Sequence, residues 1–153
     1  MKKSHILYAI FSLFIFFSCE NEDPDGSLIV EANQNLINSI QCTWIINAVV
    51  HDKDSLPLNN STITFDPCDV EATFTSNVSC RGSYVHAGDK IDFEYSPDTG
   101  DLGRILIFLL PGDKDPLKLS GRDWFFTERS AQKLHLKMKR GDEESTLVLG
   151  NDR

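Results

Sequence analysis

The chain has 153 residues, with 15 Lys and Arg against 23 Asp and Glu, a net charge of −8, four cysteines and ten phenylalanines. That length builds one domain and leaves little for a second. An acidic balance carries the wrong field for phosphate backbones, which excludes nucleic-acid binding.

The first eighteen residues differ from the rest. Lys2 and Lys3 precede an almost unbroken apolar run from Ile6 to Phe17. The run is short of the roughly 20 apolar residues needed to cross a bilayer, so it reads as the h-region of a signal peptide. The segment Phe16-Phe17-Ser18-Cys19 that follows resembles the lipobox of bacterial lipoproteins. The resemblance implies cleavage before Cys19 and lipid on its thiol. Two or three acyl chains hold stably where one does not, each buried methylene adding about 0.8 kcal/mol. The membrane is thus the first expected partner, through lipid on Cys19.

Residues 20–26, Glu-Asn-Glu-Asp-Pro-Asp-Gly, cannot bury apolar surface and are expected to be a disordered tether. They also resemble the acidic export signal of Bacteroidota lipoproteins, which implies an outer-membrane protein displayed on the cell surface. A plain solvated spacer is the other reading. The eighteen-residue signal takes two basic residues and no acidic ones, so the balance from Cys19 onward is −10.

Ile29, Leu36, Ile37 and Ile40 stand near helical spacing, which predicts a short helix within 28–40. From Cys42 the period changes to two. Trp44, Ile46, Ala48 and Val50 alternate with Thr43, Ile45, Asn47 and Val49, both registers being largely apolar. Ile63 and Phe65 form a second alternation, and Val70, Ala72 and Phe74 a third. Tyr84 and Val85 follow Cys80. Ile91, Phe93 and Tyr95 alternate cleanly with Lys90, Asp92 and Glu94, so one face is dry and the other wet. Arg104 to Leu110 is an unbroken apolar run of central-strand length, ended by Pro111-Gly112. Residues 111–121 read as a loop. Trp124 and Phe126 begin a strand with Phe125 in the opposite register, so one of these aromatics is expected to be exposed. Leu134, Leu136 and Met138 alternate with Lys133, His135, Lys137 and Lys139, and Leu147 and Leu149 close the chain.

Eight or nine short strands without intervening helices predict an all-β domain, a small antiparallel meander closed by pairing of its first and last strands. The Thr43-Trp44-Ile45-Ile46 start, the Ile63-Thr64-Phe65 strand, Gly82-Ser83-Tyr84, and the Trp124 strand followed by Leu134-His-Leu-Lys-Met together resemble the lipocalin-like domains of Bacteroidota lipoproteins. The resemblance covers roughly residues 42–149. It implies an up-and-down barrel of about eight strands, able to hold one small apolar ligand or be filled by side chains. The expected organisation is a signal peptide over 1–18, lipidated cysteine and tether over 19–27, and a barrel domain with a short N-terminal helix over 28–153.

Three cysteines remain after Cys19, which allows three pairings in an oxidising compartment. Cys68–Cys80 is favoured because both flank short β segments, leaving Cys42 as a small strand residue. Chemistry is otherwise sparse. His51, His86 and His135 are scattered, without a carboxylate or cysteine at a shared-site spacing, and read as surface residues. Asp52-Lys53-Asp54 and Asp113-Lys114-Asp115 lack the ligand count and glycine turn of a calcium loop. No metal site, cofactor or catalytic residue is expected. Asp54-Ser55-Leu56 matches a short O-glycosylation pattern of Bacteroides-type exported proteins, with Ser55 the acceptor. The sequons at Asn59, Asn60 and Asn77 carry no meaning in a bacterial lipoprotein. Trp44, Phe65, Phe74, Phe93, Phe108 and Trp124 are candidates to line a ligand pocket, or to fill the barrel outright. Two functions follow: binding a small apolar or amphipathic ligand, or meeting an envelope protein as a non-catalytic accessory lipoprotein.

Overall fold

A computed structural model describes residues 34–68, 80–98 and 102–151. The helical residues 34–40 lead into nine strands: β1 (Thr43–His51), β2 (Asp54–Ser55), β3 (Thr62–Phe65), β4 (Cys80–His86), β5 (Asp89–Asp98), β6 (Arg104–Leu109), β7 (Arg122–Arg129), β8 (Lys133–Arg140) and β9 (Glu143–Gly150). Each of β3 to β9 pairs antiparallel with its sequence neighbour, β1 pairs with β3, and β1 also pairs with β9. This closes an eight-stranded barrel. The two-residue β2 folds back on the end of β1, where Val50 faces Ser55 and His51 faces Asp54.

Period-two alternation puts one apolar residue in two inside. Trp44, Ile63, Phe65, Tyr84, Phe93, Tyr95, Ile105, Ile107, Trp124, Leu136 and Leu149 all lie in one core and are almost wholly buried. An eight-stranded barrel is just wide enough to be filled by such side chains, and burying each one contributes about 1.5–3 kcal/mol. Phe65 packs edge-on against Phe93 and Tyr95, with ring centroids 5.8 and 5.2 Å away. Gly82 makes that packing possible. A Cβ there would stand 2.5 Å from Phe93 Cζ and 2.6 Å from the Thr64 carbonyl oxygen.

Two predicted registers are corrected. In β1 the pairing with β9 slips between Ile46 and Ala48, so Val49 replaces Ala48 and Val50 as the inward residue. A bulge adds one residue and flips the face of everything after it; Asn47, the extra residue, lies against Gly150. Strand β6 takes the register opposite to the one that would turn Phe108 inward. Ile105 and Ile107 point in and Phe108 points out, because a single-layer barrel has nothing beyond its wall. The predicted strand around Val70, Ala72 and Phe74 lies outside the described residues.

Both ends of the barrel are covered. At the end where β1 begins, Leu36, Ile37 and Ile40 of the helical segment are buried. Trp44 Nε1 donates to the Ile40 carbonyl at 2.8 Å. At the other end the segment between β6 and β7 crosses the mouth as a strap, sinking Leu117 and Leu119 completely. Trp124 Nε1 donates to the Leu119 carbonyl at 2.9 Å. Each tryptophan therefore pins one cap.

Candidate functional site

Four of the six residues predicted to line a pocket are inside the barrel and packed against neighbours, with Trp44 and Phe93 also bordering recesses at its surface. Trp44, Phe65, Phe93 and Trp124 are each no more than 1% exposed, and both indole N–H groups are spent on the caps. Phe108 is corrected. It stands on the outer wall, 43% exposed, because Ile105 and Ile107 set the inward register of β6. Phe74 and Cys19 lie outside the described residues. Cys68 and Cys80 form a disulfide with Cα atoms 5.2 Å apart. Ser55 is exposed on β2.

The strap end gathers most of the polar side chains that alternation alone could not place. Asp115 accepts from the Leu119 amide at 3.0 Å, the Ser120 amide at 2.8 Å and the Tyr84 hydroxyl at 3.0 Å. Burial and the Asp115 carboxylate push the Tyr84 phenol well above its ordinary range. His51 and His86 are half-buried and hydrogen-bonded, not free surface residues. His51 Nε2 donates to the Leu117 carbonyl at 2.9 Å, and its Nδ1 lies 2.7 Å from the Ser145 hydroxyl. Arg122 Nη1 donates to the same hydroxyl at 3.3 Å. His86 Nδ1 sits 2.8 Å from Ser61 Oγ, whose proton goes to the Leu58 carbonyl. A nucleophilic serine needs an open hydroxyl and a base oriented by a carboxylate. Ser145 is 2% exposed, and His51 is oriented by a carbonyl instead. The two His51 bonds stitch the strap to β1 and β9.

The outer wall between β5 and β7 is mixed. Arg104 reaches Asp98 through Nε at 2.8 Å and stacks over the ring of the exposed Phe125 at 5.8 Å. A separate open recess of about 330 Å³ is bordered by Asp66, Arg81, Gly82, Asp92, Phe93, Glu94 and Leu110. His135 lies between Lys133 and Lys137 on β8; partial burial, reinforced by those two cations, lowers its pKa. Among the described residues no group of three or more His, Cys, Asp and Glu is placed to hold a metal ion.

The helical end holds a different recess of about 470 Å³. It lies between the C-terminal end of the helix, the start of β1, the β7–β8 turn and Asn151, and Gln41, Cys42, Trp44, Arg129 and Gln132 line it. Arg129 Nη1 is shut off from solvent and has no hydrogen-bond partner. The acidic neighbour that could have paired with it, Glu128, is taken by Lys133 at 2.7 Å. Burial alone lowers the Arg129 pKa. Sequence reading missed this recess because three distant segments build it and no spacing marks it. It missed the buried strap leucines as well, although Leu117-x-Leu119 inside a charged loop carries the period-two signal.

No protein-family model matches the sequence, no curated protein matches it, and no solved structure matches the fold.

Proposed function

We propose that this chain is a lipid-anchored lipoprotein of the cell envelope, held to the outer membrane through Cys19. Its barrel serves as a packed, non-catalytic scaffold that presents its outer surface to an envelope partner. The filled interior carries this reading. The large rings of Trp44, Phe65, Tyr84, Phe93, Tyr95 and Trp124 occupy the space a lipocalin-like ligand would take, each less than 2% exposed. Both mouths are covered and their caps are hydrogen-bonded to the wall. The lipobox-like Phe16-Phe17-Ser18-Cys19 and the acidic residues after it support the anchor and the surface display.

A second reading, a lipocalin-like binder of a small amphipathic molecule, is favoured by one observation. The recess at the helical end has a volume within the usual range for ligand sites, about 300–1,000 Å³. On that reading the ligand sits beneath the barrel and not within it.

The test is mass spectrometry of the protein extracted from its own host's membranes. The denatured mass is expected to equal a chain starting at Cys19 plus acyl groups; cleavage elsewhere overturns the anchor. The native mass is expected to exceed the denatured one by nothing tightly held. A retained apolar molecule that raises the hydrogen-exchange protection of the barrel's backbone amides overturns the packed scaffold.

A further inference from the structure

We propose that the recess at the helical end is a binding site for a small monocarboxylate with a short apolar body, gripped by the guanidinium of Arg129. This deepens the second reading above and is independent of the anchor.

The argument begins with an unmet need. A buried donor without an acceptor is costly, and more so when it is charged. Arg129 Nη1 is such a donor, and its residue lines the recess. Its side chain makes none of the ion pairs found among the described residues, and Glu128 beside it is committed to Lys133. The depressed pKa of Arg129 has desolvation as its cause, with no carboxylate raising it. A guanidinium with one nitrogen dry and unpaired is poised to gain from an incoming anion what that nitrogen lost on burial.

The surroundings select the anion. Among the described residues no acidic side chain lines the recess, although the chain from Cys19 onward is strongly acidic. Gln41 and Gln132 bring amide donors. Trp44, Cys42 and Ala131 supply apolar surface. The planar fork of an arginine matches the two oxygens of a carboxylate. One cation balances one negative charge. A phosphate dianion would keep an unmatched charge inside an acidic domain, and a neutral amide would leave the guanidinium uncompensated. A recess of about 470 Å³ also leaves room for a few carbons behind the carboxylate.

The experiment uses the full chain, isotopically labelled and held in non-ionic detergent, titrated with butyrate at constant ionic strength. Butyrate is expected to shift the Arg129 Nε–H and Trp44 indole N–H resonances to saturation. The Trp124 indole N–H, at the opposite pole, should not move. Butyramide, with the same shape and no charge, is expected to bind at least about tenfold more weakly, as a charge-assisted bond requires. Arg129→Gln should abolish saturation and Arg129→Lys should weaken it, with unshifted Trp124 resonances reporting an intact fold. Equal binding of butyrate and butyramide, an Arg129→Gln titration like the parent's, or a linear response without saturation would each overturn the proposal. Saturation by inorganic phosphate at lower concentration than butyrate would overturn the carboxylate assignment.

Discussion

Replacing Asp115 with alanine isolates what holds the strap over the barrel mouth. The carboxylate serves three donors, the Tyr84 hydroxyl and the amides of Leu119 and Ser120, at 2.8–3.0 Å. If the strap stayed in place, three donors would lose a charged acceptor, at about 1–3 kcal/mol each. If it let go, the cost would be the burial of Leu117 and Leu119, about 1.5–3 kcal/mol apiece. The molecule takes the cheaper route, so the expected loss is about 3 kcal/mol, a large share of the roughly 5–15 kcal/mol that holds a domain together. Urea unfolding measures it as a lower midpoint, and the slope falls as well if the strap has already opened in the native state. Asp113→Ala, at an exposed position two residues away, is the control and should stay within about 0.5 kcal/mol of the parent. A loss below about 1 kcal/mol in Asp115→Ala, with the Leu119 and Ser120 amides still protected from hydrogen exchange, would refute the assignment of Asp115 as the clasp.

Other outcomes follow from the same geometry. Gly82→Ala should cost about 2 kcal/mol, because its Cβ would meet both the Phe93 ring and the Thr64 carbonyl. Adding Phe93→Leu should recover part of that loss in a double-mutant cycle read by thermal unfolding, and strict additivity would show that the ring is not the obstacle. The folded-state pKa of His135 is depressed by desolvation and by Lys133 and Lys137. Its contribution is therefore present above the unfolded value of about 6.5 and is lost as pH falls below it. His135→Gln should flatten the decline in urea midpoint between about pH 7 and 5, and an unchanged slope would remove His135 as its source. Tyr84 and Tyr95 are both raised above their ordinary range, by burial foremost. The third tyrosine, Tyr8, falls in the expected signal peptide. A chain beginning at Cys19 should thus show no phenolate absorbance above about pH 10 until it unfolds, and its stability should fall as pH rises through that range. A tyrosine titrating freely at about pH 10 would contradict this.

How much could be read beforehand depended on how far each feature reaches along the chain. β5 and β8 were plain, since Ile91-Phe93-Tyr95 and Leu134-Leu136-Met138 bury one face against a polar opposite. So was closure, because the first and last strands both carried apolar faces and now pair from Ile45–Gly150 to His51–Ser145. β1 misled at Ala48, where two apolar registers hid the bulge that only Gly150 against Asn47 reveals. Phe108 misled for a related reason. In an all-apolar run the inward phase is decided by partners, here Trp124 opposite Ile105. The histidine bonds join residues 94 and 66 positions apart, and no local pattern encodes such a meeting. The recess around Arg129 is an absence of a partner, which a sequence does not spell out.

The ring of strands also imposes an order in time. β1 is the first strand made, yet one of its edges waits for β9, the last, to emerge. Until residue 150 is available the molecule is an open sheet with two unpaired edges, apolar on one face and able to pair with any similar chain nearby. Closure then seals both edges in a single event, late and over the longest loop the chain can make. A protein built this way is safe when finished and vulnerable while unfinished, so a chain truncated before β9 should aggregate, where one merely weakened at a cap should not.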